Sequence, residues 1–185
     1  MSDETLARSR CALRTTDDLK KVKAAMDKAD FAVFVGFPSG WPHIETTHTI
    51  DPKTGAIKRG TRDGGDLAEL AERLHYGDAH IPARPFLEDG LETHRAELKK
   101  LIKDQLAKLT STGKANLDKI GTAAVGAINE LVRSGYYRES VPNAPLTIKM
   151  KGSDVPLIDG ENMIDNLHFV AFQNGRPVSE GGGKA

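Results

Sequence analysis

Two apolar periodicities alternate along the chain. Leu19, Val22, Ala25, Met26 and Ala29 recur at helical spacing, with Thr16 or Asp17 placed to cap the helix. Phe31-Ala32-Val33-Phe34-Val35-Gly36-Phe37 is a short β-rich run, stopped by Pro38-Ser39-Gly40. Its near-continuous apolar character predicts a central, buried strand. Trp41 follows and is expected to cover one sheet edge. Residues 43–62 predict a hairpin around the turn Asp51-Pro52-Lys53-Thr54-Gly55. It carries few large apolar groups, so a projecting ribbon is expected, one that is marginal without a neighbour.

Asp63-Gly64-Gly65-Asp66 breaks the pattern, and Asp66 is placed to cap a helix. Leu67, Leu70, Ala71 and Leu74 form the inner face of that helix, and Gly77 ends it. Next comes Ile81-Pro82-Ala83-Arg84-Pro85-Phe86-Leu87. Each proline fixes its own φ and pushes the residue before it towards an extended conformation, so this link is stiff. A long helix is predicted from Phe86 to about Leu109, with Leu87, Leu91, Leu98, Leu101, Ile102, Leu106 and Leu109 as its apolar stripe. After Thr110-Ser111-Thr112-Gly113, a helix starts at Lys114 or Asn116 and ends near Gly135. Gly121, Ala123, Ala124, Gly126 and Ala127 make that helix thin, which favours burial against a close partner.

Val141-Pro142-Asn143-Ala144-Pro145 is a second stiff link. Residues 146–151 alternate apolar and polar, which predicts a half-exposed strand. A loop over 155–160, a helical turn over 161–166 and a last strand over 167–172 follow. The expected organisation is an arm over 1–15, one domain over 16–175 with a hairpin insertion at 43–62, and a flexible tail over 176–185.

Composition narrows the chemistry. Lys plus Arg is 26 and Asp plus Glu is 26, so the net charge of +0 supplies no general pull towards nucleic acid or anionic lipid. Cys11 is the single cysteine, which excludes an internal disulfide and a thiolate metal cluster. Without an apolar leader or membrane-length run, a soluble protein of a reducing cytoplasm is expected.

The candidate sites are few. His43/His48 and His75/His80 are each five residues apart, which suits neither a helical nor a strand pair of metal ligands. Ser39 lacks the glycine spacing of a nucleophile elbow. Cys11 has no fixed base to activate it. Asp63, Asp66 and Asp78 read as turn and cap residues, and Gly64-Gly65 does not match a phosphate loop. Lys99, Lys100, Lys103 and Lys108 are interleaved with acids, as on a solvated helix face. Arg84 stands apart. Held by flanking prolines, it suits a bidentate pair with a carboxylate, within the chain or across an interface, or a local capping role. Phe86 beside it is expected to be buried, a contribution of about 1.5–3 kcal/mol.

Gly77, then Ile81-Pro82-Ala83-Arg84-Pro85-Phe86-Leu87 and a long charged helix, resembles the neck and tail-completion proteins of long-tailed bacteriophages. That is the virion-morphogenesis or putative tail-component type. The second half adds Leu131-Val132, Pro142-Asn143-Ala144-Pro145-Leu146-Thr147-Ile148, Lys151-Gly152 and Pro156-Leu157-Ile158-Asp159 in the family's order. The resemblance spans about residues 17 to 173. The chain departs from the family's pattern in having Gly160-Glu161-Asn162 after Asp159 and His75-Tyr76 before Gly77.

The resemblance implies an α+β fold, a small antiparallel sheet with helices packed on one face, and a structural, non-enzymatic virion protein of the head–tail junction, without catalytic residues, cofactor or metal. It implies a ring, sixfold in such tails, with head-to-tail contacts. The implied partners are connector or stopper and tail-tube or tail-terminator proteins, with DNA only passing through and no membrane. Arg84, Pro85, Phe86, Leu87, Trp41, Ile158 and Asp159 are the expected interface or structural residues. The alternatives are a transient tail-assembly factor and a small hydrolase built on His75, His80 and a carboxylate.

Overall fold

The structure, a computed structural model, describes residues 31–158 and 162–182. The expected arm over 1–15, the helix over 16–29, Cys11 and Asp159 lie outside the described residues.

The chain folds as a mixed α+β protein. Strands β1 (Phe31–Gly36), β4 (His168–Gln173) and β5 (Arg176–Gly182) form one antiparallel sheet in the order β1-β4-β5. Strands β2 (Pro42–Ile50) and β3 (Ile57–Asp66) form a separate two-stranded ribbon. The helices are α1 (Leu67–Tyr76), α2 (Phe86–Thr93), α3 (Arg95–Thr112), α4 (Leu117–Arg133), α5 (Tyr137–Ser140), α6 (Pro145–Lys151) and α7 (Asn162–Asp165).

Local signals set most of these boundaries. Asp66 caps α1 by accepting from Ala68 N at 2.9 Å, and Asn116 caps α4 by accepting from Lys119 N at 3.0 Å. Asp51 closes the ribbon turn by accepting from Lys53 N and Thr54 N. The ribbon is longer than expected, because β3 continues through Asp63 to Asp66. Eight of its ten residues are exposed, as befits a strand with no apolar face.

Five expectations are corrected. Among the described strands the central one is β4, and β1 lies at an edge of the sheet. Phe34 is accordingly 63% exposed, touching Phe172 edge-on with ring centroids 5.6 Å apart. The flexible tail expected over 176–185 gives way over 176–182 to β5, which pairs with β4 from His168↔Gly182 to Gln173↔Arg176. Residues 145–151 form helix α6 instead of a strand. Pro145 at its first turn presets a helical φ, and Gly152 ends it at φ 76° with its N–H on Ile148 O. The long helix is two helices, broken at His94, where the apolar stripe lapses between Leu91 and Leu98. In α3, Gln105 is buried with Leu109, whereas Leu106 of the expected stripe is not. Gln105 is 2% exposed and its Oε1 accepts from Asn116 N at 2.9 Å, whereas Leu106 is 37% exposed.

The main core joins Leu67 and Ala71 of α1, Phe86, and Val125, Ile128, Leu131 and Val132 of α4 to Ile164, Leu167 and Phe169. Helix α4 is thin where other groups come close. A Cβ on Gly90 would fall 2.7 Å from Ile128 Cα, so α2 meets α4 nearly backbone to backbone. A Cβ on Gly121 would overlap the ring of Phe169, whose other edge faces Gly181. Phe169 is thus held between two glycines. Gly121→Ala is expected to lose about 1–2 kcal/mol in urea unfolding, because overpacking of about 1–3 kcal/mol exceeds a helix-propensity gain of about 1. Gly126, exposed on the same helix with no atom near its missing Cβ, should do the opposite. Gly126→Ala should gain about 0.5–1 kcal/mol.

Candidate functional site

Two proline links, far apart in sequence, meet at Arg84. Helix α1 stops at Gly77, whose φ is 77° and whose N–H reaches Arg73 O at 2.9 Å. The chain then turns back over it. A Cβ on Gly77 would fall 2.8 Å from Ile81 O and 2.7 Å from Ala83 N, so only glycine leaves room for the link. Asp78 fastens the turn. Its Oδ1 accepts from His80 N at 2.7 Å and Ile81 N at 2.9 Å, and its Oδ2 accepts from Arg73 at 2.8 Å. Arg84 N then donates to Leu74 O at 3.0 Å, which draws the end of the link back onto α1.

The Arg84 side chain is 5% exposed. Its Nε donates to Val141 O at 3.0 Å and its Nη2 to Pro142 O at 3.2 Å. The guanidinium therefore bridges the 81–85 link to the 141–145 link through carbonyls, and among the described residues no carboxylate pairs with it. Burial lowers its pKa from the usual arginine value, and the nearby Tyr137 acts in the opposite sense. Tyr137 Oη donates to Asp89 Oδ2 at 2.5 Å, joining α5 to the first turn of α2. Burial, then that hydrogen bond, raise the pKa of the phenol. Sequence reasoning missed this pair, since nothing local ties Asp89 to a tyrosine 48 positions away.

The other expected residues fall around this joint. Phe86, 1% exposed, lies in the main core with its ring centroid 5.5 Å from His75 and 6.3 Å from Phe37. Pro85 is half-buried at the N-cap position of α2. Leu87 and Ile158 are partly buried against the core. Trp41, 36% exposed, packs edge-on against His168 at 5.4 Å, and its carbonyl accepts from Leu67 N. It thereby ties the ribbon to α1 and covers the sheet where β4 begins.

The His75/His80 pair is split by the fold. His75 is buried in α1, with Nδ1 unpartnered and Nε2 4.0 Å from Glu88, while His80 is exposed in the turn. His94 instead contacts Glu130 at 3.3 Å and Gly90 O at 3.2 Å. Among the described residues no group of three His, Cys, Asp or Glu is placed to hold a metal ion. Asp66 accepts from Gly40 N at 2.8 Å and Ser39 Oγ at 3.2 Å as well as capping α1, so Ser39 serves a turn. Gly65 N donates to Asp63. Lys99, Lys100, Lys103 and Lys108 are exposed on α3.

Beside the joint, a cleft of about 490 Å³ opens between β3, α1 and α6, with Arg84, Asn143, Thr147, Lys151, Leu157 and Met163 in its wall. A broader groove of about 780 Å³ runs along α2 and α3 over Leu91, Leu98 and Ile102. Glu88 and Glu92 flank the α2 end of that groove, and Lys99 and Lys103 lie along α3. No described helix is long and apolar enough to cross a membrane.

Asp78 gives a prediction with a definite sign. The two backbone N–H groups and Arg73 hold its pKa at about 2, below the ordinary 3.8, the His80 N–H contributing most. Its contribution to stability is complete above 3.8 and is lost as pH falls from there through about 2. Urea midpoints measured at falling pH should drop more steeply for the parent chain than for Asp78→Asn. Parallel curves would refute this role.

Comparison with protein-family models, with curated proteins and with solved structures found no match to the chain.

Proposed function

We propose that the chain is a non-enzymatic structural protein of a bacteriophage virion, placed at the head–tail junction and assembling into a ring that joins the tail to the DNA-filled head. The observation that supports this reading best is the joint at Arg84. Among the stretches that carry the resemblance are 81–87 and 142–148, and the bonds from Arg84 to Val141 and Pro142 bring these two together. Two sequence features that mark one family are expected to be two sides of one structural device.

The surface suits a subunit with neighbours. The ribbon is exposed along most of β3, and the α2–α3 groove presents apolar groups between acidic and basic ends. A closed ring needs two unlike patches per subunit, and these are two. The partners are then further copies of the chain, a connector or stopper, and the tail tube or its terminator. Electron microscopy of the purified protein should show annular particles with a central channel. Phage lacking the chain should accumulate filled heads and separate tails. A strictly monomeric protein whose loss leaves joined particles would overturn the proposal.

A further inference from the structure

The ribbon ends in an apolar pair that its own chain leaves open. Ile50 and Ile57 stand opposite each other where β2 and β3 meet the turn, so their side chains share one face. Ile50 is exposed and Ile57 is half-buried. The tip is also basic. Asp51 answers Lys58 at 3.6 Å, and among the described residues Lys53 has no ion-pair partner. The groove along α2 and α3 has the matching character. Its floor is Leu91, Leu98 and Ile102, and Leu91 and Ile102 are each 36% exposed. At the α2 end Arg95 answers Glu92 at 2.9 Å and Tyr137 donates to Asp89. Glu88 is the carboxylate left over there, turned to solvent and 4.0 Å from the His75 ring. Lys99 and Lys103 lie further along α3.

Tip and groove are both open in the same chain, so neither covers the other within one molecule. We propose that the ribbon tip of one copy seats in the α2–α3 groove of a second copy, with Ile50 and Ile57 on the apolar floor and Lys53 beside Glu88. The occupant is a second copy because one chain carries both halves of the contact, an apolar pair with a free cation and an apolar floor with a free carboxylate. Groove against groove would leave Ile50 and Ile57 in water, where apolar surface gains nothing. A two-stranded ribbon is marginal alone, and seating its tip gives it the neighbour it lacks. Tip into groove is a head-to-tail contact. Repeated from copy to copy, it closes into a ring when the rotation between copies allows. The contact thus rests on the ring reading, within which it names the two surfaces that meet.

The test uses the full chain carrying Cys11→Ser, in two forms. One adds Ile50→Cys and an affinity tag, the other Ile102→Cys, and a short bis-maleimide is applied to each alone and to their mixture. The mixture should give a cross-link between unlike chains, resolved by mass, while each form alone should give none. Lys53→Glu in the first form should slow that cross-link by about threefold, and Glu88→Lys in the second should restore it. All four positions are exposed, so the variants should melt with the parent, which separates loss of contact from loss of fold. Self-linking of the Ile102→Cys form, no unlike cross-link in the mixture, or no rescue by Glu88→Lys would each overturn the proposal. Annular particles without the unlike cross-link would overturn it and leave the junction reading standing. The cross-link in a chain that phage particles lack would do the reverse.

Discussion

Replacing Phe86 by alanine should lower stability by about 3–5 kcal/mol. The ring is 1% exposed and stands between His75 and Phe37 in the main core. Transfer of the ring to water accounts for about 1.5–3 kcal/mol, and the cavity left behind adds the remainder. The cavity cannot close easily. Pro85 fixes the chain immediately before Phe86, and Gly90 holds α2 against the Ile128 backbone. For a chain of this size, each kcal/mol moves the melting temperature by about 2–4 °C, so a fall of roughly 6–20 °C is expected. Phe86→Leu, which keeps most of the volume, should cost less than half as much. A Phe86→Ala variant that melts within about 2 °C of the parent would mean that the stretch is only a linker.

Arg84→Met should cost about 2–4 kcal/mol in urea unfolding. The substitution keeps the aliphatic stem but leaves Val141 O and Pro142 O without donors, at about 1–3 kcal/mol for each carbonyl that stays dry. Removing a buried charge gives back part of its desolvation, which keeps the sum below the upper bound. Arg84→Lys retains the charge, but its compact ammonium cannot span two successive carbonyls as the fork does, so it should recover only part of the loss. The loss should also be local. Amide exchange should accelerate over 141–145 and 81–85 before it does in α4. A uniform acceleration would contradict the role of Arg84 as a joint between two links.

What could be read from the sequence was what nearby residues decide. Asp66 and Asn116 announce helix starts because the cap bond lies within three positions. Asp51 and Gly55 announce a turn for the same reason. Gly77 and the prolines at 82 and 85 mark a stiff link whatever it packs against. The errors arise where distant parts decide. Whether β1 is central or an edge depends on β4 and β5, more than 130 residues away, and an apolar run looks the same in both places. Gln105 is inside and Leu106 outside because Asn116 N needs an acceptor, and the helix turns that side inwards. Leu146 to Lys151 alternates like a strand, yet Pro145 and Gly152 frame a helix. Those framing signals outweigh an alternation only six residues long.

The candidate site was half legible. The stiffness around Arg84 and the burial of Phe86 follow from residue types. The partners of Arg84 do not, since they are backbone carbonyls 57 and 58 positions along the chain. A carbonyl leaves no trace in residue type. The cleft beside it is likewise a property of β3, α1 and α6 together.

Quantitative mass spectrometry of purified phage particles tests the central claim most directly. The account predicts that the chain remains in mature virions at about six copies per particle, as one ring requires. Its absence from particles, with abundance in the infected cells that made them, would contradict the account and point to a transient assembly factor.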